Sequence, residues 1–418
     1  MPTAYVREPA REIPVAAEVD VAVIGGGLAG TVAAIAAARG GASTLLVERH
    51  GYPGGIATAG LMTSFNGFRN EHPPNELQTV RGMGQEIVDR LLALDGATGC
   101  TAHGRFPLEA GSCPYAVSFD PNTLTLVLLA MMDEAGVAPW FHTWFSDALA
   151  RDGEIEAVLV ESKSGRQAIR AKLFVDATGD ADVCARAGAR CDLAAPDGER
   201  MMAVTLMYRV MGLPEPGPDE RRLWCNDLTT RWGPSATGVD GSDAGDLSRA
   251  EVALRRQVRD HVASLRDAFP QTQLVQIAAM LGVRETRRIF GLETITEEDV
   301  LTGRPRETSI SVSSNPIPTY YGQRRFLEHL GFEVPYGSLV PADLRNALAA
   351  GRCISASQPA FQSARSMAPL MAHAQATGTA AALCVQARVS PHDLDVPTLQ
   401  GRLERGGAVT RIPDSYRS

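Results

Sequence analysis

Apolar residues along this chain fall into short continuous runs separated by glycine-rich breaks. Val19 to Ile24 is mostly apolar and β-prone, the pattern of a strand buried on both faces of a parallel sheet. Leu28 to Arg39 is an alanine-rich stretch that reads as a helix ended by Gly40-Gly41, and Ser43 to Val47 is a second apolar strand closing on Glu48. These three pieces make a βαβ unit of about 30 residues. Further on, Gly84 to Leu94 is amphipathic and helical in pattern, and Asp120-Pro121 opens a helix over Asn122 to Ala135. Strand-like runs follow at Ala138 to Phe145, Ile155 to Ser162 and Arg166 to Lys172, the last two joined by a hairpin turn at Lys163-Ser164-Gly165. Leu173 to Ala177 is one more apolar strand. From about Gly188 to Pro335 the pattern changes, with a strand at Ala203 to Val210 and a polar helix at Ser248 to Asp267. A short strand at Cys353 to Ala356 and a long helix at Leu370 to Ala387 then restore the first pattern. The expected architecture is α/β: a parallel-sheet domain from residues 1–187 and 336–418, interrupted by an inserted α+β substrate or cap domain at 188–335.

The break between the first strand and helix reads Gly25-Gly26-Gly27-Leu28-Ala29-Gly30, a G-x-G-x-x-G in the strand-turn-helix context that makes it specific for a dinucleotide. Gly25 permits the tight turn, Gly27 leaves room for a pyrophosphate, and Gly30 lets the helix pack closely on the strand. The amides of Leu28 and Ala29 open the helix and face the phosphate charge. Glu48, followed by Arg49, ends the second strand, where a carboxylate accepts hydrogen bonds from ribose hydroxyls and repels a 2′-phosphate, which disfavours NADP. Both NAD and FAD use such a unit. Gly54-Gly55-Ile56 supplies small side chains and free amides after the acidic residue, and Ala177-Thr178-Gly179-Asp180 gives a second close backbone approach; taken in this order, they favour FAD.

Composition adds bounds. With 418 residues, 44% hydrophobic and 21% charged, the chain is long enough for more than one compact unit. The net charge is −8 and basic residues are scattered, which points to small-molecule partners rather than nucleic acid. Seven cysteines without a C-x-x-C indicate neither a disulfide framework nor a zinc knuckle. No run of about 18 apolar residues marks a membrane span, and the first twenty residues lack an apolar signal region, so a cytoplasmic setting is expected. The histidines His103, His142, His261, His373 and His392 share no metal-ligand spacing, and no metal is assigned.

The sequence resembles the FAD-dependent oxidoreductases whose fold is related to glutathione reductase and the fumarate reductase flavoproteins. The resemblance runs through Arg11 to Val15, the glycine fingerprint, Glu48 to Leu61, Gly82 to Ile87, Phe119-Asp120-Pro121, Val175 to Asp180, Val283 to Ile289 and Asn346 to Ala382. It implies a flavin lying between the two domains, with its pyrimidine edge at the start of the last long helix, near Pro369 and Leu370. A positive helix end there stabilises a reduced, anionic flavin, and Arg365 either adds a full charge or serves in a surface or structural ion pair. Because Gly51 to Thr63 contains no histidine, the resemblance implies noncovalent FAD. The chain departs from the family at Ala374 to Gly378, where a Gly-Gln-Ala-Ala-Gly helix is usual, so helix packing against the flavin is expected to differ.

Only one G-x-G-x-x-G is present and no C-x-x-x-x-C follows it, which argues against a disulfide reductase with its own NAD(P)H domain. Flavin monooxygenases usually carry Gly-Asp-Ala where this chain has Gly351-Arg352-Cys353-Ile354-Ser355. The favoured reading is two-electron dehydrogenation of a small organic substrate, with oxygen or another carrier reoxidising the flavin. The alternatives are an NAD(P)H-dependent flavin monooxygenase and a non-catalytic FAD-binding scaffold. Candidate catalytic groups are Arg365, Arg284, Tyr321 and His329. Arg284, Arg287 and Arg288 with Glu285 offer a carboxylate site; the same block also reads as a salt-bridge cluster joining the domains.

Overall fold

The computed structural model describes residues 6, 8–72, 77–101, 104–106, 115–193, 202–214, 222–225, 228–318 and 324–416. Its central sheet starts from strand β1 (Val15–Ile24), followed by helix α1 (Leu28–Arg39) and strand β2 (Thr44–Val47). Five strands run parallel in the order Ala138–Trp140, β2, β1, Gly165–Asp176, Ala347–Ala349, which in chain order is the 3-2-1-4-5 winding of a Rossmann-like sheet. An antiparallel hairpin, Trp144–Arg151 with Glu154–Ser162, extends the sheet from the first half of Gly165–Asp176. Val21 to Ile24 and Thr44 to Val47 are buried throughout, as strands covered on both faces must be.

Four boundaries differ from the sequence expectation, each for a local reason. Arg166–Lys172 and Leu173–Ala177 form one strand, Gly165–Asp176, because no turn residue separates them and β1 pairs along both parts. Ala138–Phe145 is broken where His142 takes a positive φ of 55°. Ala203–Val210 divides into Val204–Thr205, which pairs with Ser235–Ala236, and Tyr208–Met211, which joins a different sheet. Cys353–Ala356 is not a strand. The parallel partner of Gly165–Asp176 is the earlier run Ala347–Ala349, after which Gly351 at φ 92° turns the chain away.

The last long helix is Met367–Ala387, three residues longer at its start than expected, and it packs along α1. A Cβ on Gly378 would collide with the carbonyl of Ala33, and one on Gly40 with Ala382, so small residues let the two backbones approach. These two contacts advance in the same direction along both helices. Both helices therefore begin at the same end of the sheet, where the parallel strands finish. Thr377, inside the segment that departs from the family pattern, places its hydroxyl 3.2 Å from the carbonyl of Ala349 and 3.0 Å from that of His373.

A second core is built by Val204, Leu206, Tyr208 and Val210 against Leu254, Val258 and Val262 of helix Ala244–Ala268, with Leu281 and Leu61. Ile289, Ile295, Ile310, Phe332 and Val334 instead pack into the first core with the parallel strands. A third, antiparallel sheet of Ser64–Asn66, Ala116–Phe119, Ala97–Thr101 and Gly104–Phe106 stacks Phe65 on Phe119. No helix among the described residues is long and apolar enough to cross a membrane.

Asp120 ties these bodies together. Its Oδ1 accepts the amides of Asn122 and Thr123, capping helix Pro121–Ala135, while its Oδ2 accepts Nη2 of Arg209 at 3.2 Å. Arg209 lies in strand Tyr208–Met211 and is only 2% exposed. Removing the carboxylate leaves a buried cation unpaired. Asp120→Ala is therefore expected to lower stability by about 3–5 kcal/mol in urea unfolding, and Asp120→Ala combined with Arg209→Met to recover much of that loss.

Candidate functional site

The glycine turn is set by the strand beside it. The Gly25 amide donates to Val47 and the Ala177 amide to Ile24, which brings Ala177 against the turn. Gly25 takes φ 106°, and a Cβ there would strike the Ala177 carbonyl oxygen. A Cβ on Gly30 would collide with the Gly25 carbonyl oxygen and come within 2.8 Å of the Ala177 Cβ. Gly27 is the opposite case: a Cβ there meets nothing within 4 Å. The space in front of Gly27 is open, and α1 begins there with no side-chain cap, so its first amides, including those of Leu28 and Ala29, present positive potential to that space.

Around this opening the other expected nucleotide residues assemble. Glu48 is buried; its Oε2 accepts the Gly26 amide at 2.7 Å and its Oε1 the His50 amide at 2.8 Å. A carboxylate has further lone pairs, so these bonds orient Glu48 and leave acceptor capacity for hydroxyls. Arg49 lies over the ring of Trp144, 5.1 Å from its centroid. His50 carries a buried Nε2 with no partner among the described residues, and burial lowers its pKa. Gly54 donates to the Gly26 carbonyl at 2.8 Å, and a Cβ on Gly55 would sit 2.9 Å from the Gly27 Cα, so the loop through Ile56 lies directly on the turn.

At the second close approach, the Thr178 hydroxyl donates to Asp176 at 2.7 Å. Asp176 is fully buried, which raises its pKa against the pull of hydrogen bonds from Cys184 and Thr178. The Asp180 carboxylate is taken up by protein partners: Oδ1 accepts the Thr286 hydroxyl at 2.6 Å and Nη2 of Arg352 at 2.5 Å, with the Arg352 guanidinium lying over Gly179. Leu370 also differs from expectation, since its amide donates to Ser366 within the helix. Pro369 has no amide hydrogen. The last helix starts without a side-chain cap at Ser366, so the amides of Met367 and Ala368 are the ones that open it.

The Arg284 to Arg288 block is divided by its partners. Arg287 pairs with Asp182 at 2.9 Å, and Arg288 with Asp192 at 2.5 Å while lying over Phe361. These two tie the block to the segment after Asp180, Arg287 reaching Asp182 and Arg288 reaching Asp192. Arg284 has no such partner: its Nη1 reaches the Ala203 carbonyl and the Thr205 hydroxyl, the latter at 2.7 Å, and burial lowers its pKa. Arg365, which immediately precedes the cap of the last helix, reaches Gln362 Oε1 at 3.4 Å and Met202 Sδ at 3.2 Å. Burial and the nearby Arg284 guanidinium lower its pKa to about 9, with Glu285 opposing them. Among the described residues neither arginine has a carboxylate within ion-pairing distance. Glu285 links the two sides through bonds from the Met202 amide at 2.9 Å and Gln362 Nε2 at 3.0 Å.

His329 is not brought to this cluster by any bond. Its Nδ1 lies 2.8 Å from the Gly331 carbonyl and its Nε2 3.1 Å from that of Val300, so both ring nitrogens serve to join main-chain segments. Tyr321 and its neighbour Tyr320 lie outside the described residues. Gln362 and Met202 were not singled out in the sequence, and no motif marks them. Arg352 stood out only as the residue replacing an aspartate.

A parallel 3-2-1-4-5 sheet with an open glycine turn, a buried carboxylate beside it and a loop laid on the turn defines a dinucleotide-binding unit, and the residues present fit FAD. The chain belongs to the FAD dependent oxidoreductase family, whose model matches residues 20–236 and 215–403, and FAD is its cofactor. A comparison with curated proteins gives no match. Among solved structures the chain is similar to a geranylgeranyl bacteriochlorophyll reductase-like protein from Thermoplasma acidophilum, at 12% identity over 93% of this chain and 83% of that one, with a TM-score of 0.47. It is also similar to the myxobacterial FAD-dependent chondrochloren halogenase, at 12% identity over 93% and 79% of the two chains and a TM-score of 0.49. A third is p-nitrophenol 4-monooxygenase from Pseudomonas putida, at 12% identity over 96% and 91% and a TM-score of 0.47. Likeness at this level says nothing of the reaction.

The contrast between Gly27 and Gly30 is testable. Gly27→Ala is expected to keep the melting temperature of the FAD-free protein and to weaken FAD binding by about tenfold or more, equivalent to about 1.4 kcal/mol. Gly30→Ala is expected to lower both. Thermal melts and fluorimetric FAD titration read the two effects separately.

Proposed function

We propose that this protein removes two electrons from a small organic substrate, with oxygen or another carrier as the final acceptor. The observation that supports this reading is the positive character at the start of the last helix. Arg365 stands there without an acidic partner among the described residues, directly before an uncapped helix N-terminus. Bound FAD supplies a two-electron acceptor at such a site. Gly25, Gly27, Gly30 and the amides of Leu28 and Ala29 would hold its pyrophosphate, Glu48 its ribose hydroxyls, and Gly54 to Ile56 its extended middle portion. The amides of Met367 and Ala368, with Arg365, would set a positive potential where negative charge accumulates on reduction.

The test is an anaerobic titration of the FAD-loaded protein, followed by visible absorbance. A panel of small carboxylic acids, amines and alcohols is expected to include a compound that bleaches the flavin without NADH or NADPH. Bleaching by NADH or NADPH alone, with none by the panel, would replace this reading with the monooxygenase one; bleaching only by dithionite would favour the scaffold. Arg365→Met is expected to make the two-electron potential more negative by about 30 mV or more, since about 30 mV corresponds to 1.4 kcal/mol in such a couple. An unchanged potential in a dye-coupled reductive titration removes the electrostatic support for the proposal.

A further inference from the structure

Arg284 and Arg365 present a charge that no carboxylate among the described residues pairs with. The two guanidiniums flank the same short stretch, Arg365 reaching the Met202 sulfur and Arg284 the Ala203 carbonyl. Between them Glu285 is 2% exposed and spends its two oxygens on the Met202 amide and the Gln362 side chain. Gln362 in turn reaches back to Arg365. The nearby Arg352 is already matched by Asp180. Among the described residues, two arginines and one glutamate therefore leave one net positive charge in the cluster. A cation partly withdrawn from water without a counter-charge is disfavoured, and the arrangement is stabilised when an anion completes it. Both arginines remain partly exposed, so an incoming group can reach them.

The cluster also borders the nucleotide cradle. Thr286, two residues after Arg284, bonds to Asp180 just beyond Gly179, and a Cβ on Gly282 would touch Ile56 of the loop laid on the glycine turn. We infer that Arg284 and Arg365 form a binding site for a carboxylate carried by the substrate, positioned by the Glu285 and Gln362 bridge. This rests on the substrate-oxidation reading above. A carboxylate matches the single excess charge, whereas a phosphate brings nearly two. Planar guanidinium groups also match carboxylate geometry and bind it through charge-assisted hydrogen bonds. FAD phosphate oxygens offer related chemistry, so the experiment separates the two sources.

The FAD-loaded protein is titrated with benzoate, acetate, inorganic phosphate and the neutral analogue benzamide, read by flavin difference spectra and by calorimetry. The expected result is that a carboxylate binds and benzamide does not. Arg284→Met and Arg365→Met are each expected to weaken carboxylate binding by about 10–100-fold, with Arg284→Lys intermediate. In the Arg284 variants FAD affinity is expected to stay within about threefold of the parent, and thermal melts of Arg284→Lys guard against simple misfolding. Binding of benzamide as tight as that of benzoate, or carboxylate binding indifferent to both substitutions, overturns the inference. So does loss of FAD in the variants with phosphate competing against FAD, which assigns the pair to the cofactor. If carboxylates fail to bind while a neutral compound bleaches the flavin, the carboxylate site falls and substrate oxidation stands. If carboxylates bind as expected but only NADH or NADPH bleaches the flavin, the anion site stands and the oxidation reading falls.

Discussion

The rest of the site depends on how closely the end of strand Gly165–Asp176 approaches the turn between β1 and α1. Ala177 occupies the volume that side chains on Gly25 and Gly30 would need. The turn is therefore held against the sheet on one side while Gly27 remains open on the other. Glu48 reaches the Gly26 amide because β2 lies in register beside β1, and Gly54 bonds to the Gly26 carbonyl from above. Asp180, three residues after Ala177, then becomes the anchor for Thr286 and Arg352. A single close packing contact thus positions both the nucleotide cradle and the neighbouring charged cluster.

Helix packing places the second half of the site. Gly378 against Ala33 and Gly40 against Ala382 let the last helix run alongside α1 at short range and in the same direction. Two uncapped helix starts consequently open at the finishing end of the parallel strands. Their partial positive charges add to that of Arg365, so the potential at this end of the sheet is positive.

Buried charge is handled in two ways elsewhere in the molecule. Asp120 joins an N-cap to Arg209 across two sheets, and Arg287 and Arg288 are matched by Asp182 and Asp192. In those places each cation has its acid, and the pairs hold segments together. Arg284 and Arg365 have none among the described residues, and they lie beside the cradle. The division between arginines paired with acids and arginines without one among the described residues follows from position, not from residue type.

Much of the frame was legible before any coordinates. The fingerprint with its following acidic residue, the Asp120-Pro121 helix start and the long terminal helix are local signals, because turn geometry, capping and periodicity act between residues close in the chain. The mistaken strand at Cys353–Ala356 shows where such signals end: Ala347–Ala349 is a bland run, chosen because it meets the edge of Gly165–Asp176 in parallel register. The same holds for the charged block. In the sequence Arg284, Arg287 and Arg288 are alike and Gln362 and Met202 carry no mark. The sequence by itself determined a βαβ dinucleotide unit and the residues able to serve it. Only the tertiary structure decided which arginines are paired with acids and which are not among the described residues, because ion pairing depends on distances between segments far apart in the chain.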